Sequence, residues 1–192
     1  MVIGVLAVQG AFFEHEKMFR DLGAEVIELR KKEDLRQPFD GLVLPGGEST
    51  VQGKLLKELS MFEIIKERIE AGLPVLATCA GLILLAEEIS NDSRRYFQTL
   101  PVTVRRNAYG RQLGSFRYEG NISHIASPEI SYPMEFIRAP YIERTAEDVD
   151  ILAKEGEKIV AVRYQNQLAM AFHPELSGDD RIHRFFLNAF VK

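Results

Sequence analysis

The fold is decided by an apolar run near the start of the chain, VIGVLAV at residues 2–8. This run is rich in β-branched residues and has no polar side chain, a pattern typical of a parallel strand that is covered on both faces. Apolar residues then recur at spacings of three and four over residues 12–22, which predicts an amphipathic helix that ends at Gly23. A buried strand followed by such a helix is the first half of a β-α-β unit.

The same alternation continues through the first half of the chain. Further strands are predicted at residues 26–29, 41–44 and 75–77, and helical periodicity covers residues 51–71 with a break near Ser60. Strands that alternate with helices predict right-handed crossovers. The fold class is therefore α/β, with a doubly wound, mostly parallel sheet and helices on both faces.

The second half of the chain is predicted to add antiparallel strands to this sheet. Its strand-like runs are separated by Gly, Asn, Ser and Pro, with little room for helices between them. They lie at residues 102–105, 115–118, 135–139, 150–153, 159–164 and 168–172. A closing helix is predicted over residues 179–191. Because no linker or repeat interrupts the chain, we expect residues 1–192 to form a single domain.

Length, charge and cysteine content exclude several classes of protein. A chain of 192 residues, 46% of them hydrophobic, can bury a sizeable core without disulfides. One cysteine can build neither a disulfide framework nor a multi-cysteine zinc site, and we expect no metal and no cofactor. A net charge of −4 with dispersed Lys and Arg argues against nucleic acid as a partner. No apolar run approaches the ~20 residues of a membrane span, so we expect no membrane partner and a soluble, cytoplasmic protein.

The single cysteine, Cys79, follows the predicted strand at residues 75–77 and precedes a predicted helix that runs to about Glu88. Ligands of open α/β sheets bind beyond the carboxyl ends of the strands, and a strand-to-helix turn there holds a nucleophile out of the core. The helix N-terminus would favour the reactive thiolate. The alternative is that Cys79 is a small buried hydrophobic residue, as many lone cysteines are.

A second group of polar residues ends the apolar run at residues 168–172. His173 and Glu175 are two positions apart, and Pro174 keeps His173 extended, so both side chains can point to the same side. A carboxylate beside an imidazole orients the ring and stabilises its protonated form, as the base of a thiol nucleophile requires. The alternative is an exposed histidine beside an exposed glutamate.

Paired glycines, Gly46 and Gly47, follow the predicted strand at residues 41–44. Without side chains, they let backbone N–H groups approach a ligand closely, as an oxyanion hole requires. A glycine-rich turn capped by Ser49 is the alternative. The Gly spacing and the missing Lys-Ser/Thr pair exclude a P-loop.

Six blocks of sequence, in order along nearly the whole chain, together resemble the class I (triad) glutamine amidotransferases. The cysteine turn and His-Pro-Glu identify that broad class, whereas PGGEST, RNxxGRQ and FIRAP are similar to its vitamin B6 branch, the glutaminase subunits of pyridoxal 5′-phosphate synthase. The blocks are residues 4–10, 44–50, 78–82, 106–112, 136–140 and 172–176. Ala77 stands where the broad pattern usually has Gly. The resemblance implies a flavodoxin-like fold.

The resemblance also implies a role for individual residues. Cys79 would be the nucleophile, His173 the base and acid, and Glu175 the residue that orients His173. The implied glutamine-binding residues are Gly46, Gly47, Glu48, Ser49, Arg106, Ile137 and Arg138, and the implied oxyanion-hole residues are Gly47 and Ala80. A zwitterionic substrate needs both a cation and an anion in its site, which Arg106 and Glu48 could provide.

The implied reaction is hydrolysis of L-glutamine to L-glutamate and ammonia through a γ-glutamyl thioester. Ammonia in bulk water becomes unreactive ammonium, so a protected route to an acceptor is implied. In the family, that acceptor is a synthase subunit that builds pyridoxal phosphate. We expect this partner to contact the turn at Gln9 and Gly10 and the helix behind it.

Three alternatives remain open for the function. The chain could be the glutaminase subunit of another amidotransferase, a γ-glutamyl hydrolase, or an inactive flavodoxin-like binding module in which Cys79 only packs. The other histidines, His15, His124 and His183, lack a partner at a suggestive spacing, and we expect them to be solvated or structural.

Overall fold

The computed structural model describes residues 1–108, 114–125 and 130–191. Residues 109–112 of the fourth sequence block therefore lie outside the described residues, as does Lys192 of the predicted domain. The helices are α1 (Phe12–Asp21), α2 (Ser49–Glu58), α3 (Phe62–Glu70), α4 (Ala80–Leu85) and α5 (Arg181–Ala189). The strands are β1 (Val2–Leu6), β2 (Glu25–Leu29), β3 (Gly41–Leu44), β4 (Val75–Thr78), β5 (Ala86–Ile89), β6 (Leu100–Arg105), β7 (Ser115–Gly120), β8 (Tyr132–Ile137), β9 (Tyr141–Thr145), β10 (Asp150–Glu155), β11 (Lys158–Tyr164) and β12 (Gln167–Met170).

The larger sheet has the strand order β2-β1-β3-β4-β12-β11-β9-β6-β5, with β10 paired to β11. Its first five strands run parallel. Strands β3, β4 and β12 are buried along their whole length, as expected of parallel strands with both faces covered. The chain moves one way from β1 to β2 and the other way from β3 to β4, so right-handed crossovers put the connecting helices on opposite faces. The predicted doubly wound arrangement is confirmed.

The predicted antiparallel additions are confirmed for the strands at residues 102–105, 150–153, 159–164 and 168–172, whereas the strands at residues 115–118 and 135–139 do not join this sheet. Strand β11 runs antiparallel to β12, β10 and β9, and β9 runs antiparallel to β6. Strands β7 and β8 form a separate two-stranded antiparallel ribbon. This ribbon ends at Ile137, beside the carboxyl ends of β4 and β12. Strand β9 was not among the predicted elements.

The helix predicted to run from Cys79 to about Glu88 is wrong in its second half. Helix α4 ends at Leu85, and Ala86 then adopts an extended ψ of 138°. Residues Ala86–Ile89 form strand β5, which pairs with β6 in parallel. The segment has good helix formers, but pairing with a sheet edge overrides this local preference.

Helices α1 and α5 pack against each other, whereas α4, which follows the cysteine turn, packs on the middle strands of the sheet. Helices α1 and α5 meet through Phe19 and Phe186, whose ring centroids are 6.1 Å apart. Helix α4 is buried along its length and contacts β4, β12 and β3.

None of the helices in the described part of the chain has the length and apolar character needed to cross a bilayer.

Candidate active site

Cys79 lies in the tight turn between β4 and α4, at the carboxyl edge of the parallel strands. Its φ of +47° falls in the left-handed region that residues other than glycine rarely adopt. The Cys79 N–H donates to the Met170 carbonyl of β12 at 2.8 Å, which ties the turn to the neighbouring strand. A Cβ at Gly81 would overlap the Leu44 carbonyl, so a glycine is needed for α4 to pack so closely on β3. The sequence therefore builds a sharp turn that presents one thiol.

His173 follows β12 and lies beside this thiol. Its imidazole and the Cys79 thiol line the same cleft, where Sγ lies 4.0 Å from the Ile137 carbonyl oxygen. Nδ1 of His173 lies 2.6 Å from Oε1 of Glu175, which leaves Nε2 available to the sulfur. The His173 N–H donates to the Glu135 carbonyl of β8 at 2.8 Å. Glu175 lies in a short 3-10 turn that Pro174 begins, rather than in an extended segment. The two side chains nevertheless meet as the i, i+2 spacing predicts.

The proton affinity of His173 is raised by its two partners. Burial disfavours its charged form, but hydrogen bonds to Cys79 and Glu175 and the Glu175 charge outweigh burial and raise the His173 pKa to about 10. The imidazole is therefore protonated at neutral pH. A cation held beside a sulfur favours the thiolate, which is the reactive form of a cysteine.

The Gly46-Gly47 turn approaches this pair from β3. The Gly46 carbonyl accepts a hydrogen bond from the Ala11 N–H at 3.0 Å, and a Cβ at Gly10 would overlap that carbonyl. Because the peptide is trans, the Gly47 N–H points to the side opposite the carbonyl. The Glu48 N–H donates to the Gln9 side chain at 2.8 Å. The turn is thus held by the loop that follows β1.

Cys79 and His173 open onto a cleft of about 270 Å³. This volume lies just below the ~300–1,000 Å³ of typical small-molecule sites, so the cleft suits a ligand of amino-acid size. The predicted site residues that line it with them are Gly47, Glu48, Ser49, Arg106, Ile137 and Arg138. Sequence reasoning missed three further lining residues, which are Gln9, Ile83 and Asn107.

The other predicted site residues lie behind the cleft wall. Glu175 is buried behind the imidazole, and Gly46 lies against the face of the same ring. Ala80 is fully buried at the first position of α4. The structure thus brings the predicted residues to one place, with some at the surface of the cleft and others supporting it.

Charged side chains at the cleft are paired differently from the sequence-based expectation. Arg106 Nη1 lies 2.5 Å from Asp92 Oδ2, so a neighbouring carboxylate already balances its charge. Arg138 Nη2 lies 3.8 Å from Glu48 Oε1, and both side chains are largely exposed. The expected cation and anion are present, but the two that face each other are Arg138 and Glu48.

His15 is the main residue near the site that sequence reasoning did not identify. It is fully buried on α1, and its Nε2 lies 3.3 Å from Oε2 of Glu175. The expectation that it is solvated or structural did not include this contact, although its position on the apolar face of α1 pointed inward. His183 is also buried, whereas His124 is exposed.

Within residues 1–108, 114–125 and 130–191, no group of three or more His, Cys, Asp or Glu side chains is arranged to hold a metal ion. The chemistry that the arrangement can perform is nucleophilic attack by a thiolate, with an imidazole as proton donor and acceptor and a carboxylate behind it.

Comparison with known proteins identifies relatives over almost the full length. The family model of the SNO glutamine amidotransferase family matches residues 5–192. The pyridoxal 5′-phosphate synthase subunit PdxT of Desulfitobacterium hafniense (strain DSM 10664 / DCB-2) is 64% identical over 189 residues, which cover 98% of this chain and 93% of the relative. The subunit of the same name from Haemophilus influenzae (strain PittEE) is 48% identical over 191 residues, with 98% and 97% covered.

One solved structure, described as a crystal structure of a glutamine amidotransferase, superposes with a TM-score of 0.90 at 42% identity. The match covers 98% of each chain. The predicted flavodoxin-like fold of the class I glutamine amidotransferases is thereby confirmed.

Proposed function

This chain belongs to the SNO glutamine amidotransferase family and acts as the glutaminase subunit of pyridoxal 5′-phosphate synthase, and we propose that Cys79, His173 and Glu175 carry out its hydrolysis of L-glutamine. One observation carries the assignment of these residues. The His173 imidazole lines one cleft with Cys79, and its Nδ1 lies 2.6 Å from Glu175 Oε1. This is the geometry of a nucleophile, its base and the group that orients the base.

The first step forms a thioester. The Cys79 thiolate attacks the side-chain amide carbon of glutamine, and the carbonyl electron pair moves to oxygen. Backbone N–H groups of Gly47 and Ala80 stabilise that oxyanion. The tetrahedral intermediate collapses as His173 gives its proton to the amide nitrogen, the C–N bond breaks, and ammonia leaves.

The second step releases glutamate. His173, now neutral, removes a proton from a water molecule that attacks the γ-glutamyl thioester. The C–S bond then breaks, which restores the Cys79 thiolate beside a protonated His173. Glu175 stays ionised throughout and stabilises the imidazolium each time it forms.

Recognition of free glutamine rests on its two charges. The α-ammonium can bind Glu48 and the α-carboxylate can bind Arg138, an oppositely charged pair whose side chains lie 3.8 Å apart at the cleft. Arg106, Ser49 and Ile137 line the rest of the pocket, together with Gly47. A cleft of about 270 Å³ favours a free amino acid over a γ-glutamyl peptide.

Ammonia passes to the synthase subunit as the protein partner, because release into bulk water would convert it to ammonium. The proposed contact face includes the Gln9-Gly10 turn and α1, where Phe13 is 63% exposed. A free catalytic thiol needs a reducing compartment, which favours a cytoplasmic location. In this proposal, residues 1–192 form one glutaminase domain.

A glutaminase assay with and without the synthase subunit tests this proposal. We expect release of glutamate that the synthase stimulates and that Cys79→Ala abolishes. The glutamine-analogue electrophile 6-diazo-5-oxo-norleucine should label Cys79, which peptide mass spectrometry can assign without ambiguity because the chain has one cysteine. If the chain neither releases glutamate nor is labelled in the presence of the synthase, it is better described as an inactive binding module.

A second measurement distinguishes delivery of ammonia to the synthase from delivery to a different acceptor. Ammonia from labelled glutamine should appear in pyridoxal phosphate when the synthase and its sugar phosphates are present. Release of glutamate without incorporation would instead indicate another amidotransferase or a γ-glutamyl hydrolase.

A further inference from the structure

Two buried histidines continue the line of polar contacts behind Glu175. His15 on α1 and His183 on α5 are both 0% exposed. His15 Nδ1 lies 2.9 Å from His183 Nε2, and His15 Nε2 lies 3.3 Å from Glu175 Oε2 and 3.2 Å from Thr78 Oγ1. The mechanism proposed above, on which this inference rests, gives neither histidine a task.

Glu175 has one oxygen that the triad leaves without a well-aligned donor. Oε1 faces His173 at 2.6 Å, whereas Oε2 is buried and makes no hydrogen bond of good geometry to the residues that the structure describes. A buried carboxylate oxygen without a donor is unfavourable. His15 Nε2 lies 3.3 Å from this oxygen and hydrogen-bonds Thr78 Oγ1 at 3.2 Å, so an N–H on this nitrogen points at Thr78 and lies beside Oε2.

The charge of Glu175 decides which nitrogen of His15 carries the proton. If Nε2 were bare, its lone pair would lie 3.3 Å from the carboxylate, which is repulsive, and only the Thr78 hydroxyl could donate to it. With the proton on Nε2, His15 donates towards Glu175, and its bare Nδ1 must accept a hydrogen bond. His183 Nε2 is then the donor, which leaves Nδ1 of His183 bare. That nitrogen indeed has no partner among the described residues, as suits a neutral acceptor better than a buried N–H.

Both histidines are held in the neutral form that this arrangement needs. Burial lowers the pKa of His15 well below its usual value, and the charges of His183 and His173 lower it further. Burial lowers the pKa of His183 to about 4, against a small opposing effect of the Asp180 charge. Neutral rings of fixed tautomer can direct the donors of His183 and His15 towards the Glu175 carboxylate.

We propose that His15, fixed in its Nε2–H tautomer by His183, is a positioning residue that holds the Glu175 carboxylate in place for His173. The donors then run from His183 to His15, from His15 to Glu175, and from His173 to both Glu175 and Cys79. His15 touches neither the cleft nor the thiol, and it contacts the site through Glu175 and through Thr78, the residue before Cys79. It affects the proton transfers of His173, and not the binding of glutamine.

This role predicts a specific pattern in steady-state kinetics, measured on the full chain with its synthase. His15→Leu should lower kcat about 10- to 100-fold, the range typical of outer hydrogen-bond partners of functional side chains, and leave KM within about twofold. His15→Gln keeps an N–H donor near the position of Nε2 and should restore most of kcat. His124→Leu is the matched control, because His124 is exposed, and it should keep wild-type kcat.

A nuclear magnetic resonance measurement tests the proposal independently of activity and of variants that fail to fold. In the wild-type chain labelled with ¹⁵N-histidine, two-bond ¹H–¹⁵N spectra at pH 7 should show His15 and His183 neutral and protonated on Nε2. A protonated Nδ1 on His15, a cationic His15, or wild-type kcat in His15→Leu would overturn the proposal. A wild-type chain without glutaminase activity would refute the proposed function alone, since the tautomer result would still stand on its own.

Discussion

Gly46 lies against the imidazole of His173 so closely that no side chain fits between them. A Cβ built on Gly46 would overlap the ring at Cε1. The carbonyl of the same residue is held by the Ala11 N–H at 3.0 Å, so the glycine turn is fixed from the other side. The turn proposed to hold the oxyanion and the proposed base are therefore in direct contact, and neither can move without the other.

Replacing Gly46 should test this contact. Gly46→Ala would push the imidazole from its place between Cys79 and Glu175, and we expect kcat for glutamine hydrolysis to fall at least about 100-fold, since small misplacements of reacting groups have effects of that size. Gly114→Ala is the matched control, because a Cβ there meets nothing within 4 Å. Wild-type kcat in Gly46→Ala would show that the ring tolerates displacement.

The raised pKa of His173 predicts how fast Cys79 reacts with an electrophile. With a pKa of about 10, His173 is protonated at pH 7 and places a positive charge beside the sulfur. We expect His173→Gln, which removes that charge, to slow alkylation of Cys79 by iodoacetamide at pH 7 by about 10-fold or more. Equal alkylation rates in the two proteins would contradict a role of His173 in activating Cys79.

Removal of the Arg138 charge should weaken substrate binding without stopping the chemistry. Arg138 is exposed, lines the cleft and lies 3.8 Å from Glu48 Oε1. A hydrogen bond to a charged group contributes about 1.5–3 kcal/mol, so Arg138→Ala should raise KM for glutamine roughly 10- to 100-fold with kcat nearly unchanged. Arg144→Ala is the control, since Arg144 is equally exposed but lies outside the cleft. An unchanged KM would indicate that Arg106, and not Arg138, binds the α-carboxylate of glutamine.

The buried histidine pair predicts loss of stability in mild acid. The pKa of His183 is about 4 in the folded chain and near 6.5 when unfolded, so between these values the unfolded state binds more protons. The free energy of unfolding should therefore fall as the pH drops from 6.5 to 4, by an amount on the order of 3 kcal/mol for this group, and level off below pH 4.

Urea unfolding at several pH values measures this dependence. His183→Phe keeps the aromatic contact with Phe19, whose ring centroid lies 5.0 Å from that of His183, and removes the titration. The variant should lose less stability than the wild type over the same pH interval. Parallel curves for the two proteins would show that His183 does not carry the effect.

Much of the fold could be predicted from local sequence, because buried parallel strands are short, apolar and bounded by glycines. The position of Cys79 between a strand and a helix followed from the same pattern. The segment after Leu85 could not be predicted, because its helix-forming residues pair instead with an edge strand from elsewhere in the chain. Local propensity contains no information on that partner.

The site shows the same division between near and distant contacts. His173 and Glu175 are close in sequence, and their spacing predicted that the side chains meet. His15 meets Glu175 only because α1 packs against the 3-10 turn that follows β12, which no spacing reveals. The pairing of Arg106 with Asp92 likewise depends on how a loop folds back. The assignment of one domain to residues 1–192 stays a prediction.

The insertion of β12 beside β4 has a consequence for synthesis of the protein. Strand β4 leads into the cysteine, but the strand next to it, which leads into His173, is made much later. A nascent chain that ends before β12 holds a thiol with neither the proposed base nor the proposed carboxylate. We expect such a chain to leave glutamine intact, so a product that terminates before β12 should release no ammonia.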